Sequence, residues 1–136
     1  MKIALIAPCG MNCALCMAYH RDERHCGGCR MEDNSQPFHC RQCSIIFCEH
    51  LRESKSKYCF GCEIFPCKRL KNLDKRYRTK YGMSMIENLN KIKEAGIRKF
   101  VKDESIRWQC KNCGAVLCAH RDKCPSCGKK WEKRKY

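Results

Sequence analysis

Six Cys-x-x-Cys pairs recur along a chain of 136 residues: Cys13/Cys16, Cys26/Cys29, Cys40/Cys43, Cys59/Cys62, Cys110/Cys113 and Cys124/Cys127. Cys9, Cys48, Cys67 and Cys118 bring the total to sixteen. Two thiolates separated by two residues can grip one tetrahedral ion, because the intervening backbone turns its N–H groups toward the sulfurs. Metal binding is the chemistry that this spacing predicts.

The strongest constellation is Cys110-Lys-Asn-Cys113-Gly followed by Cys124-Pro-Ser-Cys127-Gly. A glycine after each second cysteine suits a knuckle, since the backbone there bends sharply and favours positive φ. The pattern predicts a zinc ribbon on Cys110, Cys113, Cys124 and Cys127; a rubredoxin-like iron site would use the same two knuckles. Cys118 and His120, between the knuckles, are surplus to four ligands and read as packing residues or as contacts behind the ligands.

Residues 1–67 hold the other eleven cysteines, a number that four does not divide. Two four-thiolate sites leave three thiols over, whereas three sites require one nitrogen or oxygen ligand. The predicted set is Cys9, Cys13, Cys16, Cys26, Cys29, Cys40, Cys43, Cys48, Cys59, Cys62 and Cys67, with His50 as the preferred twelfth ligand and His20, His25 and His39 as its rivals. Three or four zinc ions follow, and spacing alone does not say which knuckles share an ion. Cys9-x3-Cys13-x2-Cys16 also has the spacing of a three-thiolate iron–sulfur motif, so a redox or metal-handling protein using these three residues is the alternative. The chain has no His-Glu pairing at metal-site spacing and no other catalytic constellation, and the expectation is a protein that is not an enzyme.

Cysteine use of this kind separates secreted disulfide scaffolds from intracellular metal proteins. The apolar run Ile3–Ala7 stops at Pro8, shorter than a signal peptide's apolar core, and no stretch approaches a membrane span. A cytoplasmic protein with reduced thiols, not bound to membrane, is the expectation. Residues 1–67 carry 8 Lys/Arg against 7 Asp/Glu, and residues 68–136 carry 21 against 7, so the formal charge of +15 is almost all in the second half. A divalent ion with four thiolates adds two negative charges, which leaves roughly −5 on the metal-loaded first half and about +12 on the second. A basic half of this size predicts contact with RNA, DNA or an acidic protein, against the plainer reading of a solvated face. Nothing in the sequence specifies an oligomeric state.

The elements that must position these residues are few. Residues 1–8 read as a short strand and Ala14–Arg21 as the one helical candidate in the first half; residues 33–37 form a turn. Leu70, Leu73, Tyr77 and Tyr81 at helical spacing predict a helix ending at Gly82, with Lys68, Arg69, Lys71, Lys75, Arg76, Arg78 and Lys80 opposite. Ser84-x-x-Glu87 predicts a capping box opening a second helix that buries Met85, Leu89 and Ile92, with Ile86 alongside, and ends at Gly96. Trp131 and Tyr136 punctuate a basic tail in a pattern suited to stacking on unpaired bases. The predicted fold is a small metal-stabilised α+β protein. It comprises a multi-zinc cysteine-knuckle module (1–67) in which metal clips replace a hydrophobic core, a connector of two amphipathic helices (68–107), a zinc ribbon (108–128) and a basic tail (129–136).

The runs Cys9-Gly-Met-Asn-Cys13-Ala-Leu-Cys16-Met-Ala-Tyr19, Cys26-Gly-Gly-Cys29-Arg30, Cys43-Ser-Ile-Ile-Phe-Cys48 and Cys59-Phe-Gly-Cys62-Glu-Ile-Phe-Pro66-Cys67 resemble a prokaryotic family designated domain of unknown function 3795. The resemblance continues through Glu87-Asn88-Leu89 and Ile92–Gly96 toward the ribbon. It implies a small cytoplasmic zinc-binding protein and no particular activity.

Overall fold

The computed structural model describes residues 1–136. Its regular elements are helical: α1 (Phe38–Arg41), α2 (Glu49–Glu53), α3 (Lys68–Tyr81), α4 (Met85–Ala95) and α5 (Ile97–Arg107), with 3-10 turns at Ile3–Leu5, Cys13–Leu15 and Cys59–Gly61. The β component of the predicted α+β class is absent as sheet. Pairing is confined to the isolated antiparallel bridges Ile6–Asn12, Gln109–Val116 and Lys123–Lys130. Each bridge closes a tight loop around cysteines, and each loop is too short to extend into a ladder.

Residues 1–8 are therefore a turn followed by a single bridge. Leu5, Ile6 and Ala7 are buried in succession, without the alternation a half-buried strand would show. Ala14–Arg21 is not a helix either. A 3-10 turn capped by the Asn12 side chain, which accepts from the Ala14 N–H at 3.1 Å, gives way after Leu15 to turns held by the Tyr19 and His20 N–H groups on the Cys16 carbonyl.

The connector contains three helices, one more than its apolar pattern reveals. Gly82 closes α3 in a left-handed conformation (φ 63°), and Gly96 separates α4 from α5. The extra helix, α5, hides because its buried face reads Ile97, Phe100, Val101, Glu104, Trp108. A glutamate occupies the position at which the apolar stripe should continue, yet Glu104 is as buried as its neighbours. Helix α4 packs against both α3 and α5 and against the Cys59–Gly61 turn, and α5 rests on the Ile3–Leu5 turn.

One apolar cluster unites the segments. Leu5, Ile6, Met11 and Leu15 from the cysteine-rich half join Leu70, Met85, Leu89, Ile92 and Phe100 from the helices and Leu117 and Ala119 from the C-terminal module. Residues 1–67 thus do have apolar anchors, shared with the rest of the chain, and burying each large aliphatic side chain contributes about 1.5–3 kcal/mol. The cysteine-rich half meets α4 closely at Gly10, where a Cβ would lie 2.7 Å from the Met85 carbonyl and where the Asn88 side chain donates to the Gly10 carbonyl at 3.0 Å. This contact fixes the Cys9 loop on α4. No helix is long and apolar enough to cross a membrane.

Candidate metal centres

Each knuckle is built by local backbone geometry. In Cys13–Cys16, Cys40–Cys43 and Cys59–Cys62 the N–H of the second cysteine bonds the carbonyl of the first at 3.0–3.2 Å, which closes a tight turn between them. N–H groups two residues further on point at the sulfurs of Cys9, Cys16, Cys26, Cys110, Cys113 and Cys127. Amides aimed this way favour thiolate, the form a metal takes.

In the C-terminal module the predicted four come together. The sulfurs of Cys110, Cys113, Cys124 and Cys127 all lie within 4.8 Å of one another. Cys110 and Cys127 are 3.8 Å apart, and Cys113 and Cys124 are 3.6 Å apart. A tetrahedron with metal–sulfur bonds of about 2.3 Å has edges of about 3.8 Å, so the cluster fits a single four-coordinate ion. Gly114 (φ 77°) and Gly128 (φ 72°) occupy the left-handed conformation the knuckles call for. The Lys129 N–H and the Asn112 side chain hold Cys127 down to about 6. Cys110 is likewise lowered, by the Cys113 and Asn112 N–H groups. Although the Ala115 N–H favours its thiolate, Cys113 is pushed up to about 11 by desolvation and by the other thiolates. The four thiols could together hold one metal ion.

In residues 1–67 the cysteines form looser groups. The Cys13 and Cys29 sulfurs are 3.5 Å apart, and the Cys29 N–H also points at Cys13. The bond to Cys13, followed by burial, pushes the Cys29 thiol far up. Burial likewise raises Cys9, with Cys29, Cys59 and Cys43 as its charged neighbours. Cys48, Cys59, Cys62 and Cys67 line an apolar cavity of about 30 Å³ with Ile45, Leu51 and Phe65, room for one small occupant. Burial pushes Cys59 up to about 12, reinforced by Cys67, Cys48 and Cys62. Cys16 is raised by burial and then by Cys26 and Cys118. Cys40, held near 12 by burial, has Cys29, Cys16, Cys26 and Cys43 around it.

The partners in a Cys-x-x-Cys pair need not face the same neighbours: Cys13 meets Cys29, whereas Cys16 meets Cys26 and Cys118. Of the three thiols of Cys9-x3-Cys13-x2-Cys16, Cys9 and Cys13 share Cys29 as a neighbour, whereas Cys16 has Cys26 and Cys118. His50 is exposed at the rim of the Cys48/Cys59/Cys62/Cys67 cavity. His25 and His39 are exposed, and the His20 Nε2 bonds the Ala14 carbonyl at 2.8 Å.

His120 does pack, as its surplus position suggested. Its Nδ1 accepts from the Met17 N–H at 3.1 Å, which puts the ring proton on Nε2, where it is donated to the Tyr77 hydroxyl at 3.1 Å. The ring stands edge-on to Tyr81 at 4.6 Å, and burial lowers its basicity, with Lys133 adding to the effect. His120 therefore ties the C-terminal module to α3 and to the backbone after Cys16.

A family profile matches residues 5–72, the span from the first buried aliphatics to the start of α3. The chain belongs to the family described as protein of unknown function (DUF3795). The DUF3795 segment contains all eleven N-terminal cysteines and ends before α4, α5 and the C-terminal cluster, so the resemblance in residues 87–96 lies beyond the matched span. No curated protein and no solved structure matches the chain.

Proposed function

We propose that this DUF3795 protein is a structural-zinc protein whose basic second half holds nucleic acid by its phosphate backbone. Closed four-thiolate sites leave no open position for a substrate, which favours a structural role for the metal. The observation that carries the nucleic-acid part is a cleft of about 370 Å³ between the C-terminal module, α5 and the tail. Arg107, Lys111, Lys129, Lys130 and Arg134 line it, against Glu132 as the one acid. The seven cations of α3 are all exposed, and six of them, Lys68, Arg69, Lys71, Lys75, Arg76 and Lys80, make no ion pair. Point cations spread over a cleft and a helix suit a flexible polyanion better than one acidic side chain at a time.

In the tail, Trp131 stands edge-on against Trp108 at 5.4 Å, and Tyr136 is exposed with its hydroxyl donated to Glu87 at 3.0 Å. Backbone contact of this kind is weakly selective for sequence.

Filter binding of single-stranded RNA and of DNA across a salt series tests the reading. With about four phosphates contacted on a single strand, affinity should fall roughly 50-fold between about 50 and 200 mM salt. Lys129→Glu together with Lys130→Glu should weaken binding to every sequence alike. Absence of any salt-sensitive affinity removes the nucleic-acid reading, and retention only of an acidic polypeptide replaces it. Elemental analysis of protein purified without oxygen tests zinc against iron, and a colour near 400 nm would displace zinc in favour of iron–sulfur.

A further inference from the structure

Of the sixteen cysteines, Cys113 and Cys127 alone are exposed. They stand at the tips of the two C-terminal knuckles, where residues 111–114 and 125–130 are all open to solvent. Little overhangs them. A Cβ on Gly128, the residue after Cys127, would meet no atom within 4 Å, and one on Gly114 would meet only the end of the Gln109 side chain at 3.5 Å. Each exposed cysteine also has a buried one beside it. The Cys127 sulfur lies 3.8 Å from that of Cys110, and the Cys113 sulfur 3.6 Å from that of Cys124, so both contacts run from one knuckle to the other. An accessible thiolate with a second thiolate waiting behind it is the arrangement that thiol oxidation needs.

We propose that Cys113 and Cys127 are modification sites for hydrogen peroxide, and that a disulfide formed from either one to its buried neighbour expels the metal ion from the C-terminal cluster. The proposal rests on the metal-binding reading of that cluster. A thiolate is the nucleophile. The exposed sulfur attacks one oxygen of the peroxide: an S–O bond forms, the O–O bond breaks, hydroxide leaves, and the cysteine becomes a sulfenic acid. The buried thiolate then attacks that sulfur, so that an S–S bond forms as the S–O bond breaks and a second hydroxide leaves. Two thiolates have given two electrons to one peroxide, and the two hydroxides take protons from solvent to become water. The new disulfide has no thiolate charge left to bind a cation, and the two remaining thiolates take up protons as the ion departs. The eleven N-terminal cysteines and Cys118 are buried or half-buried, so the same oxidant meets them later. The C-terminal module is thus the part of the chain in which oxidation is read out first, as loss of its metal clip.

The test treats the full metal-loaded wild-type chain, purified without oxygen and freed of reductant, with one equivalent of hydrogen peroxide. Metal release is read with a coloured chelator, and disulfides are read from a non-reduced tryptic map. Cleavage after Arg107, Lys111, Arg121, Lys123 and Lys129 leaves Cys110, Cys113 and the pair Cys124/Cys127 on three different peptides. The expected result is one ion freed per chain, with the peptide 124–129 linked to 108–111 through Cys110–Cys127 or to 112–121 through Cys113–Cys124, before any disulfide forms in residues 1–67. A thiol reductant with fresh metal should restore the original content. Disulfides within a single knuckle, oxidation confined to residues 1–67, or a C-terminal cluster left reduced would each overturn the proposal while leaving the metal reading intact. Disulfides at Cys110–Cys127 or Cys113–Cys124 with no ion released overturn both.

Discussion

Asp74 in the middle of α3 accepts the Ser84 hydroxyl at 2.7 Å, although Ser84 is the N-cap of the next helix. The same carboxylate oxygen accepts the Ile86 N–H at 3.0 Å, and the other takes Arg78 Nε at 2.7 Å. Ser84 in turn accepts the Glu87 N–H at 3.0 Å, so half of the predicted capping box forms. The returning half does not. Glu87 turns outward to Lys91, Arg134 and Tyr136, and Asp74 supplies from α3 the negative charge that the start of α4 favours.

Asp74 is 3 % exposed, so removing its carboxylate strands a hydroxyl and an amide away from water. Asp74→Ala should cost about 2–3 kcal/mol and lower Tm by roughly 10 °C, with metal content unchanged. A Tm within about 2 °C of wild type would mean that α4 finds its cap elsewhere.

Glu104 is buried at 2 % exposure, and burial raises its pKa despite Arg107 at 3.4 Å. A carboxyl whose folded pKa is raised gives most stability below its unfolded value of about 4.3 and loses it as pH climbs through the folded value. Glu104→Gln escapes that loss. Melting curves should show the variant gaining on wild type between pH 5 and pH 8, and a gap that narrows with rising pH would reverse the assignment.

Both tryptophans of the chain flank the C-terminal cluster: the Trp108 carbonyl accepts the Leu117 N–H at 2.8 Å, and Trp131 packs on Trp108. Chelation of the reduced protein should therefore shift tryptophan emission to the red as the module opens. Cys113→Ser should show the same shift without chelator and lose one ion per chain. Emission unchanged by a strong chelator would sever the link between metal and fold.

Glu87 gathers the tail through Arg134 at 2.9 Å and Tyr136 at 3.0 Å. Partial burial works against its ionisation, but hydrogen bonds from Lys91, Arg134 and Tyr136 hold it down to about 2. A depressed carboxylate contributes above its unfolded value of about 4.3 and loses that contribution as pH falls toward the folded one, so docking should be constant from pH 8 to 5. Exposed pairs of this kind are worth about 0.2–1 kcal/mol, so Glu87→Gln should barely move Tm. Limited trypsin digestion should nonetheless cut at Arg134 and Lys135 several times faster, and equal rates would place the anchor elsewhere.

The sequence by itself determined which atoms can hold metal and where two of the helices end. Cys110, Cys113, Cys124 and Cys127 were legible because ligand spacing and the following glycines are local properties, and Gly82 and Gly96 close α3 and α4 for the same reason. Tertiary structure alone decided which thiols are neighbours, because a sulfur's surroundings depend on chain segments tens of residues away. It sent Cys13 and Cys16 in different directions, brought Cys118 beside Cys16 through the Leu15–Ala119 hydrogen bond, and made Glu104 part of a buried face that polarity had concealed. Local backbone chemistry is written in short spacings, but the packing of one segment on another is a property of the whole chain.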